Sequence, residues 1–236
     1  MGATAGLRPE TLVCVDFDDT LVANQEHFEA ALRQLVQALT ELPGVSAAAA
    51  RAAFERLDAQ QHGHDRHRNR FLQTVVATYC AVAGTDAVPL QWLPRLAGLA
   101  ALPYDAPPRP VPGAAEALER LRRRHPGPLW LVTTGDPVVQ AGRIQRSGLA
   151  GRFDALHILP RKDVAAFAAL GAGRSRPWMI GNSPATDVLP ALAAGFAVLH
   201  VTAATWALDV AAVPPEVPRC PSFPAAVDHL LSEAAP

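Results

Sequence analysis

The most conspicuous scarcity in this sequence is lysine. Among its 21 basic residues, Lys162 is the single lysine and all the others are arginine. A composition also rich in alanine and proline favours arginine wherever a generic cation suffices. A retained ammonium therefore marks a position where a guanidinium differs in shape and hydration. Cysteine is scarce as well: Cys14, Cys80 and Cys220 are odd in number and far apart, which suits reduced thiols better than a disulfide framework. No apolar run approaches the roughly 20 residues that span a bilayer. The opening MGATAGLRPE lacks the basic-then-apolar layout of a secretory signal, so a cytoplasmic location is expected. Excess charge is missing too. A formal net charge of −1 argues against a nucleic-acid partner, because such domains are usually clearly basic.

What is present is an ordinary globular composition, 50% apolar and 18% charged over 236 residues, enough for one large domain or two modest ones. The run Leu12–Asp16 reads as a strand buried on both faces. Helical texture follows. Phe28, Ala31, Leu32, Leu35, Val36 and Leu39 keep i, i+3, i+4 spacing, and Ser46 is placed to cap a second helix. A third runs through Phe71, Val75, Val76, Tyr79 and Val82. The proline-dense stretch 102–114, LPYDAPPRPVPGA, reads as a linker.

Strands and helices then alternate. Strands are predicted at Leu129–Thr133, Ala155–Leu159, Trp178–Gly181 and Phe196–Val201. Helices are predicted at 113–124, from Asp136 to about Ser147, from Asp163 to near Gly171, and over Asp187–Ala194. Repeated β-α units imply a parallel sheet covered on both faces. The fold class is thus α/β, a Rossmann-like parallel-sheet core (residues 1–21 and 106–236) carrying an inserted all-helical unit (22–105).

Ligands of open parallel sheets bind at the carboxyl ends of the strands. The polar residues predicted there are Asp16 with Asp18 and Asp19, Thr133 with Thr134, then Lys162, Asn182 and Asp187. Three carboxylates within VDFDDTL crowd charge that a hard cation would relieve. Mg²⁺ suits an all-oxygen donor set, and a phosphoryl group shared with the Thr hydroxyl and Lys162 would complete the charge balance.

With DFDDTL, LVTT, the Lys162 of PRKD and IGNSPATD in this order and spacing, the chain resembles the haloacid dehalogenase-like (HAD) superfamily. The long interval between Asp16 and Thr133 is similar to that of the subgroup with an α-helical cap inserted after the first motif. The resemblance implies an Mg²⁺-dependent phosphatase acting on a small phosphorylated metabolite through an aspartyl-phosphate. Asp16 would be the nucleophile and a metal ligand. Asp18 would serve as acid and base and lend its main-chain carbonyl to the metal. Thr133, Thr134 and Lys162 would hold the phosphoryl oxygens, and Asn182 and Asp187 would complete the metal environment. Asn182 stands where an acid usually does, so either its amide oxygen or Asp187 makes the direct contact. Metal-free dehalogenases of the superfamily also carry Asn there, but they need only the nucleophile, so Asp18 favours phosphoryl transfer.

A phosphomutase shares the four motifs, and a phospho-accepting or binding protein on this fold is the non-catalytic alternative. Asp19 reads as solvated or as an outer group of the site. The cluster His62, His64 and His67, set among arginines, fits a solvated face better than a transition-metal site. Arg66 and Arg70 are candidates for binding an anionic part of the substrate. Trp206 reads as a loop anchor. Nothing in the sequence fixes an oligomeric state.

Overall fold

The computed structural model describes residues 8–61, 68–202 and 211–233. The chain divides into two compact units, one built from Met1–Ala23 with Pro107–Pro236 and the other from Asn24–Ala106. It enters the first through β1 (Val13–Val15), follows with the two-residue β2 (Val22–Ala23), and then passes into four helices: α1 (Gln25–Leu39), α2 (Ala47–Gln61), α3 (Arg68–Ala83) and α4 (Leu93–Asp105).

The helical unit has its own core. Leu32, Leu35 and Leu39 of α1 meet Phe54 of α2, Phe71, Val75 and Tyr79 of α3, and Leu96 of α4. Phe28 stands edge-on to Phe71, with ring centroids 5.1 Å apart. The Ser46 hydroxyl accepts the Ala49 N–H at 3.1 Å, which satisfies a donor that the first turn of α2 would leave open. The proline-dense stretch departs from the sequence reading. Instead of being linker from residue 102, its first residues finish α4, with Pro103 inside the helix. Proline there gives up the N–H that would reach the Leu99 carbonyl, and the helix ends within a turn, at the Ala106 N–H bond to the Leu102 carbonyl (3.0 Å).

The chain returns through β3 (Arg109–Pro110), which pairs antiparallel with β2: Val22 faces Pro110 and Ala23 faces Arg109. Alternating units follow: α5 (Ala114–Arg124), β4 (Leu129–Thr134), α6 (Pro137–Arg146), β5 (Ala155–Leu159), α7 (Val164–Leu170), β6 (Trp178–Gly181), α8 (Leu189–Ala193), β7 (Ala197–Val201), β8 (Arg219–Cys220) and α9 (Phe223–Glu233). Six strands join in the order β5-β4-β1-β6-β7-β8, each pairing parallel.

Strand periodicity of two divides the apolar residues between the faces of the sheet. Val13, Val15, Leu129, Leu131 and Ile180 pack with residues of α5 and α9. Leu12, Cys14, Val132 and Met179 pack with Phe167 of α7 and Ala191 of α8. The chain runs outward from central β1 on one side through β4 and β5, then on the other through β6 and β7. The carboxyl end of β1 is therefore the switch point, where such sheets open a crevice.

The predicted helix from Asp187 begins earlier and wider. Pro184–Val188 form a π-helical turn ahead of α8, with the Val188 N–H reaching the Ser183 carbonyl at 3.1 Å. Pro190 explains the change: it has no N–H for the residue four back, and an extra residue in the turn absorbs the mismatch. Cys14, Cys80 and Cys220 are free thiols. Among the described residues no helix is long and apolar enough to cross a membrane.

Candidate active site at the switch point

β1 delivers the first carboxylate. The Asp16 N–H bonds the Ile180 carbonyl at 2.9 Å, carrying the ladder one residue beyond the strand. Asp16 thus emerges at the crevice, buried to 5% exposure. The chain then folds tightly on itself, with the N–H groups of Leu21 and Val22 both directed to the Phe17 carbonyl (2.9 and 3.1 Å). Asp19 adopts a left-handed conformation (φ 59°), which aspartate tolerates better than most residues. Its side chain is buried, so the solvated reading of this residue does not hold. The turn also brings the Thr20 hydroxyl to the Asn182 amide oxygen, to which it donates at 3.3 Å.

Lys162 arrives from the loop between β5 and α7, beside Asp163, whose carboxylate caps α7 through the Ala166 N–H (2.9 Å). The ammonium donates to Asp16 Oδ1, and to Asp187 Oδ1 at 2.6 Å. Asp187 sits in the π-helical turn, and its Oδ2 accepts the Ser183 N–H at 3.0 Å. Gly181 makes this possible at the end of β6: a Cβ there would lie 2.6 Å from Asp187 Cβ, Cγ and Oδ2.

Two buried carboxylates thus share one ammonium. Burial, and next the Asp187 charge, push the Asp16 carboxyl up to about 7, against the pull of Lys162. Burial also works against the Lys162 charge, but the two carboxylates outweigh it and raise its pKa. Removing either partner of such a buried pair typically costs about 3–5 kcal/mol, because the remaining charge is left uncompensated.

Asp18 faces another way. Its Oδ1 accepts from Arg143 Nη1 at 2.6 Å and its Oδ2 from Gln140 Nε2 at 2.7 Å. Gln140 Nε2 also lies 3.1 Å from Thr133 Oγ1 and 3.1 Å from the Thr134 carbonyl. Thr133 is buried at the end of β4, and Thr134 is partly exposed. Gln140 and Arg143 come from α6, whose start is fixed by Asp136 accepting the Val138 and Val139 N–H groups (2.9 and 3.1 Å), with Pro137 in the first turn.

The structure therefore brings Asp16, Lys162 and Asp187 into direct contact, reaches Asn182 through Thr20, and links Asp18 to Thr133 through Gln140. Arg70 lies in the helical unit, where its guanidinium donates to the buried Asp58 at 3.2 Å. Arg66 lies outside the described residues, as do His62, His64, His67 and Trp206. Sequence reasoning did not single out Gln140, Arg143 or Thr20. No sequence signal marks them: that α6 buries Gln140, Arg143 and Ile144 and leaves Val138 82% exposed is visible only in the structure.

Among the described residues, no three His, Cys, Asp or Glu side chains stand close enough to hold a metal by themselves. A cage of protein ligands is therefore not the fit. A hard octahedral cation fits better, because it takes one or two carboxylates and leaves its other positions to water and phosphate oxygens. Asp16, Asp187, the Asn182 amide and the Asp18 carbonyl are the residues that would hold it, all of them oxygen donors, and the buried Asp16 and Asp187 carboxylates share a single ammonium.

A family model for haloacid dehalogenase-like hydrolases matches residues 11–195. Pyrimidine 5′-nucleotidase YjjG of Escherichia coli is 32% identical over 104 residues; the match covers 40% of this chain and 45% of YjjG, less than half the length of that relative. A haloacid dehalogenase-like hydrolase from Xanthomonas campestris superposes with a TM-score of 0.76 at 21% identity, over 98% of this chain and 97% of that one. The HAD-hydrolase YfnB of Bacillus subtilis, bound to magnesium, does so with a TM-score of 0.65 at 18% identity, over 95% and 99%.

Proposed function

The chain belongs to the haloacid dehalogenase-like hydrolases, and from that premise we propose that it is a phosphatase, hydrolysing the phosphate ester of a small metabolite through Asp16. The observation that carries this reading is the second aspartate, Asp18. It stands two residues after Asp16, both its carboxylate oxygens are held by α6, and hydrolytic chemistry at a phosphate ester needs a second proton-exchanging group.

Asp16 attacks the phosphorus, and its carboxylate oxygen forms a bond to phosphorus as the ester P–O bond breaks. The departing oxygen takes a proton from Asp18. Water then attacks the same phosphorus and gives a proton back to Asp18. The Asp16–phosphorus bond breaks, inorganic phosphate leaves, and both aspartates are restored. Lys162 and the Thr133 hydroxyl hold the phosphoryl oxygens, where fixed positive charge and donors favour the transition state. Asp187 keeps Lys162 in place.

Mg²⁺ held by Asp16, Asp187, the Asn182 amide and the Asp18 carbonyl would supply the missing positive charge, keeping Asp16 ionised near neutral pH and drawing charge from the phosphoryl group. The bound magnesium of YfnB supports this choice of ion. We read the helical unit as the cap that selects the leaving group. The likeness to YjjG makes nucleoside 5′-monophosphates the first substrate class to assay.

The test is hydrolysis of p-nitrophenyl phosphate with and without Mg²⁺, for wild type and Asp16→Asn, alongside calorimetric titration of Mg²⁺. The expected result is Mg²⁺-dependent turnover in wild type and a loss of at least about a thousandfold in the variant. Equal turnover in the two proteins would overturn the assignment of Asp16.

A further inference from the structure

α6 buries two polar side chains where a supporting helix needs apolar ones. Gln140 and Arg143 are each 4% exposed, and they stand three residues apart on one helix face. Arginine is among the residues least often buried, and burying it costs free energy unless its charge and donors are matched. The match here is Asp18. Arg143 Nη1 takes Oδ1 at 2.6 Å, and Gln140 Nε2 takes Oδ2 at 2.7 Å.

The two residues also hold each other, because Arg143 Nη1 donates to Gln140 Oε1 at 2.9 Å. That bond fixes which end of the Gln140 amide is oxygen and therefore which end faces Asp18. Phe17, immediately before Asp18, lies under the guanidinium with its ring centre 5.7 Å from Arg143 Cζ. Gln140 further reaches Thr133 Oγ1 at 3.1 Å, so the loop after β1 and the end of β4 are registered through one amide.

Resting on the phosphatase reading of this site, we propose that Gln140 and Arg143 are positioning residues for Asp18, a two-point clamp on α6 that aims its carboxyl group at the leaving oxygen. With one donor on each oxygen, both side-chain torsions of Asp18 are fixed. Proton delivery is steeply sensitive to placement, since a displacement of about 1 Å can cost about a hundredfold in rate. The clamp matters only where the proton matters. An ester whose leaving oxygen departs readily as an anion needs little help, and one with a basic leaving oxygen needs a great deal.

The experiment compares kcat/KM for p-nitrophenyl phosphate and phenyl phosphate in wild type, Asp16→Asn, Arg143→Met, Gln140→Met and Arg143→Lys, with Mg²⁺ present. The ratio of the two esters is independent of the fraction of protein that is folded, so a partly unfolded variant still reports. In Arg143→Met the phenyl ester is expected to lose about tenfold more than the nitrophenyl ester. Gln140→Met moves the ratio the same way by less, and Arg143→Lys restores part of it. An equal fall for both esters in either Met variant, including loss of both in a folded protein, overturns the clamp while leaving the phosphatase reading intact. Absence of Asp16-dependent hydrolysis of either ester in wild type overturns the phosphatase reading and the clamp with it.

Discussion

Gly181 is the smallest residue in the site and one of the most constrained. A methyl group added there would approach Asp187 to 2.6 Å, and Asp187 is held by Lys162 and the Ser183 N–H, so it cannot yield freely. Gly181→Ala is therefore expected to lower stability by about 1–3 kcal/mol, the usual range for overpacking, read as a lower urea midpoint with an unchanged slope. At this scale the sequence is informative about the residues that end strands. Asp16, Lys162, Asn182 and Asp187 are polar groups following apolar runs, and the structure gathers them at one edge. It is silent about Gln140 and Arg143, because a glutamine and an arginine on a helix look the same whether they face water or a carboxylate distant in sequence. Asp19 is the converse case: an acid in a turn reads as solvated or as an outer group of the site, and the structure leaves it only 8% exposed, in a left-handed turn.

The element that carries the clamp depends on its cap. Asp136 accepts two N–H groups at the start of α6, so Asp136→Ala is expected to cost about 1 kcal/mol. Equilibrium urea unfolding of wild type and variant measures this directly. The cap is legible in the sequence, since Asp-Pro before a helix has a local cause. So are β5 and β6, whose apolar runs end at recognisable breakers. β2 and β3 are not: two residues carry no periodicity, and their pairing joins segments that the whole helical insertion separates. Pro103 and Pro184 mark the other failures. The proline-dense stretch reads as linker, yet α4 continues through Pro103, and the helix expected from Asp187 is preceded by a π-helical turn that starts at Pro184.

At the scale of the molecule, the apolar residues fall into separate clusters. The clusters on the two faces of the sheet draw on the α/β unit, and the cluster among α1–α4 draws on residues 24–106. Because Ala23 pairs with Arg109 in an antiparallel ladder, the chain ends left by removing the insertion already face each other. Replacing residues 24–108 by Asn-Gly should close β2 and β3 into a hairpin of the favoured two-residue type. The expected product unfolds cooperatively on heating, followed by far-ultraviolet circular dichroism; a non-cooperative melt would show that the sheet needs the insertion. The one lysine has a wider consequence for handling the protein. Lys162 is 6% exposed and bonded to two carboxylates, so the described surface offers no side-chain amine to an acylating reagent. Each chain thus carries a single concealed side-chain amine, and its labelling rate counts how often the strand ends open.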